Sequence, residues 1–153
     1  MSQEKIAPKA QVGICVLTHA DYGDALFHAA ETIVGTQDDS AIMRIDLAND
    51  VAETVARLRD AVARLDSGLG VLMLTDMFGG TPTNLSLALL GQQDFRDRIE
   101  VVTGINLPML LKALGNRHLD KNALAELVCE AGRSGIAVAG EILRQRSKKS
   151  AEA

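Results

Sequence analysis

The sequence predicts a doubly wound α/β domain, a mainly parallel four-stranded sheet with helices on both faces. Four short apolar runs alternate with segments of helical periodicity, and Gly, Pro, Asp and Thr gather at the joins. The third observation is length: 153 residues suffice for one buried core without a metal or disulfide staple. Right-handed βαβ crossovers then place helices on both faces of the sheet.

The first run, Gln11 to Leu17, carries Val12, Ile14, Cys15, Val16 and Leu17 and reads as a buried strand ended by the polar Thr18-His19-Ala20-Asp21. From Gly23 to Val34, Leu26, Ala30, Ile33 and Val34 recur at helical spacing, and Gly35 supplies the stop. Ala41 to Leu47 alternates Ile42, Arg44 and Asp46 against Met43, Ile45 and Leu47, the pattern of a half-buried edge strand. Val51, Val55, Leu58, Val62 and Leu65 mark the clearest amphipathic helix, with Arg57, Arg59, Asp60 and Arg64 on its wet side.

Gly70 to Thr75 is a continuous apolar strand followed by Asp76 to Asn84. Thr81 suits the cap of a helix whose first residue is Pro82 and whose end is Gly91. Ile99 to Thr103 gives the fourth strand, Asn106 to Leu114 a short helix entered through Pro108, and Asn122 to about Leu143 a helical region interrupted at Gly132 and Gly135. The expected organisation is a flexible extension over 1–10, one domain over 11–143, and a frayed polar tail over 144–153.

Composition excludes several classes of function. Twenty acidic residues against sixteen basic ones leave a net charge of −4, with no basic stripe outside the last ten residues, so a nucleic-acid partner is not expected. Four aromatic residues supply no stacking platform. Cys15 and Cys129 stand far apart in apolar stretches, which fits a reduced, cytoplasmic protein, and no apolar run is long enough to span a bilayer. The three histidines lack an organised ligand set, so no metal site is expected. His28 reads as the partner of Asp24 in an exposed i, i+4 pair, and His118 as facing water.

In open parallel sheets the ligand crevice lies beyond the carboxyl ends of the strands. His19 after the first strand and Asp76 after the third occupy such ends, with Gly104 to Pro108 as a rim. If the two ends are neighbours, an Asp carboxylate can hold one ring nitrogen, fix the tautomer and leave the other nitrogen nucleophilic. Each residue also has a plainer reading, His19 as a surface histidine and Asp76 as a loop or capping residue. Gly79-Gly80 before a helix start offers either a small phosphate cradle or only a tight connection. It is not a P-loop, because no Gly-Lys-Ser/Thr ending follows, and no G-x-G-x-x-G follows the first strand.

Val16-Leu17-Thr18-His19, Leu74-Thr75-Asp76-Met77-Phe78-Gly79-Gly80-Thr81-Pro82-Thr83-Asn84 and Gly104-Ile105-Asn106-Leu107-Pro108-Met109 together resemble the mannose-type (mannose/fructose/sorbose) IIA component of the bacterial phosphoenolpyruvate-dependent sugar phosphotransferase system. The resemblance runs in order from about Gln11 to Ala139. It implies a phosphotransferase in which His19 accepts a phosphoryl group from the histidine phosphocarrier protein and donates it to a IIB component on a separate chain. Asp76 would orient the ring from the opposite nitrogen. Amides around Phe78, Gly79 and Gly80, with the Thr81 hydroxyl and the rim at Asn106, would stabilise the phosphoryl oxygens, and no cofactor or metal is implied.

The same resemblance implies a homodimer that exchanges an antiparallel strand from the C-terminal region, and contact with the membrane only through a transporter. Met77 stands where relatives can carry a hydroxyl residue. The phosphotransferase subunit of dihydroxyacetone kinase shares the fold, but Asp76 to Asn84 is closer to the sugar-transport branch. Two other functions stay open: a stand-alone regulator whose His19 phosphorylation state selects its partner, and a non-catalytic module that binds a small anion at Gly79-Gly80.

Overall fold

A computed structural model describes residues 9–46 and 48–151. In chain order the elements are β1 (Gly13–His19), α1 (Tyr22–Val34), β2 (Ser40–Ile45), α2 (Val51–Leu65), β3 (Val71–Thr75), α3 (Thr81–Leu90), β4 (Ile99–Thr103), α4 (Leu107–Gly115), α5 (Lys121–Ser134) and α6 (Ala139–Ala151). The four strands lie in the order β2-β1-β3-β4 and every pairing is parallel. From β1 the chain winds outward to β2, then returns across β1 to place β3 and β4 on the other side. The boundary between β1 and β3 is therefore the point where winding reverses, which is where such sheets open a crevice.

Strand alternation divides the core in two. Ile14 and Val16 of β1 with Leu72 and Leu74 of β3 pack under α1, α4 and α5, against Phe27, Leu110 and Val128. Cys15, Leu17, Val71 and Met73 point the other way, onto Leu58 and Val62 of α2 and Leu89 of α3. Because β1 and β3 are covered on both faces, they read as unbroken apolar runs. Only Met43 and Ile45 of β2 are buried, as its alternation and edge position require.

Caps fix the helices that follow. Asp50 Oδ1 accepts from the Glu53 amide at 3.0 Å to start α2, and Asp120 Oδ1 accepts from Asn122 and Ala123 to start α5. At the amino ends of the strands, buried Arg117 donates to the carbonyls of Val12, Asp38 and Asp39 at 2.8, 2.7 and 2.7 Å. Those bonds tie the approaches to β1 and β2 together, and burial lowers the Arg117 pKa from its ordinary value.

Several expectations are corrected. β1 runs on through Thr18 and His19, since the ladder pairs them with Arg44 and Ile45 although the apolar run has ended. Thr81 is not a cap: Gly80 takes that position in extended backbone, Thr81 is already helical, and Pro82 follows at a position whose amide is also unpaired in any helix. The final helical region is two helices separated at 135–138, and α6 continues to Ala151 where fraying was expected, its Glu, Leu, Gln, Arg and Lys residues being good helix formers. Asp24 pairs with Arg44, which offers a bidentate guanidinium at 2.7 and 3.1 Å, and not with His28. Residues 1–8 of the expected extension, Leu47 of the expected second strand, and residues 152–153 of the tail lie outside the described residues.

Candidate active site

His19 is the last residue of β1 and continues the Cys15, Leu17 face, so its ring leaves the sheet on the side where α3 begins. Asp76 follows the last residue of β3, the strand paired to β1. The switch point thus brings together two residues 57 positions apart, with His19 Nδ1 at 2.7 Å from Asp76 Oδ2. The backbone amide of His19 donates to the same oxygen at 2.8 Å, and Asp76 Oδ1 accepts from the Met77 amide at 2.9 Å.

Burial alone would raise the Asp76 carboxyl, but the bonds from the His19 amide and ring, its positive charge when protonated, and the Met77 amide outweigh it and hold Asp76 below the ordinary carboxylate range. An ionised carboxylate only accepts, so the proton of the neutral ring sits on Nδ1 and Nε2 keeps its lone pair. Nε2 has no protein partner among the described residues, and the side chain is 40% exposed. A nucleophilic nitrogen is therefore held in one tautomer and presented outward.

The turn 76–80 closes over the ring. A Cβ on Gly80 would lie 2.9 Å from His19 Cε1, so only glycine lets this backbone approach the imidazole. Gly79 has φ +80, the left-handed conformation that glycine adopts without strain. The amides of Phe78, Gly79 and Thr81 donate to no protein acceptor among the described residues, and the Gly80 amide reaches the Met77 carbonyl only at 3.4 Å. Three unpartnered amides and one weakly held amide thus lead into the start of a ten-residue helix, the kind of backbone that receives an anion.

Asn106 also has a structural duty. Its Oδ1 caps α4 by accepting from the Met109 amide at 3.1 Å, and its Nδ2 donates to the Gly132 carbonyl at 3.2 Å. Both ends of the side chain are engaged in holding α4 and α5. The Thr81 hydroxyl makes no cap bond. Met77 and Phe78 stand 57% and 77% exposed on the rim, a large apolar surface for a loop.

An open hollow of about 530 Å³ adjoins His19, lined by Ala20, Asp21, Arg44, Ile45 and Asp46. His28 and His118 are exposed and do not line this hollow. Among the described residues no group of three or more His, Cys, Asp or Glu is arranged to hold a metal. Cys15 is buried and its thiol is pushed up to about 12 by burial, which leaves it inert.

Sequence reasoning missed the support beneath the turn. Thr83, 1% exposed, lies with its hydroxyl 2.6 Å from the Met77 carbonyl, 2.7 Å from the Thr75 hydroxyl and 3.3 Å from that of Thr103. The signal was present as threonines ending both β3 and β4, which share a register position. Asn84 Nδ2 also holds the turn by donating to the Gly79 carbonyl at 3.2 Å.

The fold and this site define a doubly wound α/β domain that presents a carboxylate-held histidine at the switch point of its sheet. Residues 13–131 match the EIIA-man family model, described as PTS system fructose IIA component, and the chain belongs to that family. The PTS system mannose-specific EIIAB component of Escherichia coli (strain K12) is 28% identical over 127 residues, 82% of this chain and 38% of that protein. The chain therefore spans well under half the length of this relative. The PTS system fructose-specific EIIA component of Bacillus subtilis (strain 168) is 24% identical over 107 residues, 70% of this chain and 71% of that one. Among solved structures, phosphotransferase system component EIIA from Streptococcus agalactiae superposes with a TM-score of 0.75 at 26% identity, covering 85% of this chain and 98% of that chain. No helix among the described residues is long and apolar enough to cross a membrane.

Proposed function

We propose that the protein is a cytoplasmic phosphoryl carrier that takes a phosphoryl group on His19 Nε2 from the histidine phosphocarrier protein and passes it to a IIB component. The observation that carries this reading is the 2.7 Å bond between His19 Nδ1 and Asp76, which leaves Nε2 as the free nucleophile. In the forward step the Nε2 lone pair forms the bond to phosphorus as the donor's N–P bond breaks and its electron pair returns to the donor ring. No proton moves at Nε2, and Nδ1–H stays on Asp76, whose negative charge opposes the positive charge that the ring acquires. Donation to IIB is the same displacement in reverse, with the pair returning to Nε2.

Phosphoryl transfer asks the protein mainly for alignment and for donors to the equatorial oxygens. The unpartnered amides of Phe78, Gly79 and Thr81 and the weakly held amide of Gly80 fill that role, with the Thr81 hydroxyl beside them. Asn106 on the rim keeps one N–H of Nδ2 beyond the bonds that hold α4 and α5, and joins the set through it. The exposed Met77 and Phe78 give a docking partner apolar surface next to the reacting nitrogen.

Incubation with phosphoenolpyruvate, enzyme I and the phosphocarrier, followed by intact mass, tests the reading. Wild type gains one acid-labile phosphoryl group and His19→Ala gains none. An unmodified wild type, folded and beside an active IIA control, sinks the carrier reading and favours a module that only binds anions.

We also propose a homodimer formed by exchange of the C-terminal segment. β4 has one strand neighbour among the described residues, and a groove of about 420 Å³ runs between it and α5. Ile136, Val138, Ile142 and Leu143 are exposed at 78%, 63%, 43% and 67%, and α6 buries no residue. Both are what an unfilled interface leaves.

A further inference from the structure

We infer that Thr83 is a positioning residue for the transfer step, acting through the Met77 carbonyl on the turn that faces His19. This rests on the carrier reading above. The Thr83 hydroxyl has one hydrogen and three oxygen neighbours. The Met77 carbonyl can only accept, so Thr83 donates to it at 2.6 Å, and the hydroxyls of Thr75 and Thr103 donate to Thr83. The direction of all three bonds is thereby set without ambiguity.

The consequence falls on Gly80. Its amide also points toward the Met77 carbonyl, but at 3.4 Å, beyond a good N–H···O bond. The carbonyl has two lone pairs, and Thr83, bonding it at 2.6 Å, fixes the oxygen so that the Gly80 amide holds it only weakly, in a turn whose Gly80 Cβ position is 2.9 Å from His19 Cε1. An amide under-used before transfer and bonded during it favours the transition state over the ground state. Thr83 is buried and reaches neither His19 nor the hollow beside it, so its influence passes through the turn and through the ends of β3 and β4 that its hydroxyl bonds.

The test uses the full chain with the phosphocarrier as donor. Thr83→Val, and Thr83→Ala should the valine variant fail to fold, are expected to lower the rate at saturating donor about tenfold. The KM for the donor should stay within about twofold, since the docking surface is untouched. Thr83→Ser keeps the hydroxyl and restores the rate. In parallel, amide NMR of the unphosphorylated protein reads the turn: without the hydroxyl, the Gly80 amide closes onto the Met77 carbonyl, shifting downfield and exchanging more slowly, and in Thr83→Ser it does not. A valine or alanine variant with wild-type rate and an unmoved Gly80 amide overturns the inference, as does a rate loss that serine does not restore. A wild type that takes no phosphoryl group overturns the carrier reading and the transfer role with it, while the Gly80 signal still decides whether Thr83 sets the turn.

Discussion

At the scale of single residues, the site and the stability of the fold both depend on carboxylates that are ionised and hydrogen-bonded. Asp66 resembles Asp76 in this respect: burial alone would raise its carboxyl, but Arg98 Nε at 2.9 Å and the amides of Gly68 and Gly70 at 2.9 and 3.0 Å bring it below the ordinary range. A group whose pKa is depressed in the folded state stabilises that state above its unfolded pKa, near 4, and loses the contribution as pH falls through the folded value. The urea midpoint should therefore be flat from about pH 7 to 5 and fall below about pH 4. Asp66→Asn should lower the midpoint at neutral pH and converge with wild type in acid. A wild-type midpoint that rises on acidification would show that these two carboxylates do not govern the acid limb.

At the scale of elements, caps and periodicity carry most of the local information. Asp50 illustrates it: its carboxylate accepts the Glu53 amide, and the hydroxyl of Thr54 donates to its carbonyl at 2.9 Å. Asp50→Ala should cost about 1 kcal/mol, measured by chemical denaturation, with Asp50→Ser close to wild type. An unchanged midpoint would mean that the packing of Leu58 and Val62 alone defines α2. The bounds of this helix, Val51–Leu65, were legible from its apolar stripe, and the Asp50 cap agrees with them. The bounds of β4 were legible too, and the existence of the buried strands, whose runs are covered on both faces, though not where β1 ends; the nearness of His19 and Asp76 was legible because strand ends in a parallel sheet converge. Thr81 was misjudged because Thr before Pro has the composition of a cap while the backbone gives that place to Gly80. The rim position of Asn106 concealed a structural duty as the cap of α4. Thr83 was missed because its role depends on three elements meeting, so the threonines that end β3 and β4 become a signal only once their register is known.

At the scale of the whole molecule, one edge of the sheet and one end of the chain are unfinished in the same way. β4 presents Glu100, Val101 and Thr103 half-buried beside a groove that α5 borders, and the chain after Gly135 contributes apolar side chains that stay exposed in a single copy. An exposed strand edge is a template for a further strand, and isolated residues as apolar as Ile136 and Val138 gain by burial, about 1.5–3 kcal/mol each when fully covered. Two copies that exchanged this segment, with its first residues extended along β4, would satisfy both needs at once, and the symmetry of such an exchange would close the assembly at two. Sedimentation equilibrium of the full chain should give a dimer, and a chain ending at Ser134 should give a monomer with a lower denaturation midpoint and His19 still able to accept a phosphoryl group, since the site is built from β1, β3 and the turn into α3. A truncated chain that remains dimeric would place the interface elsewhere, and a monomeric full chain would leave the β4 edge to a different protein.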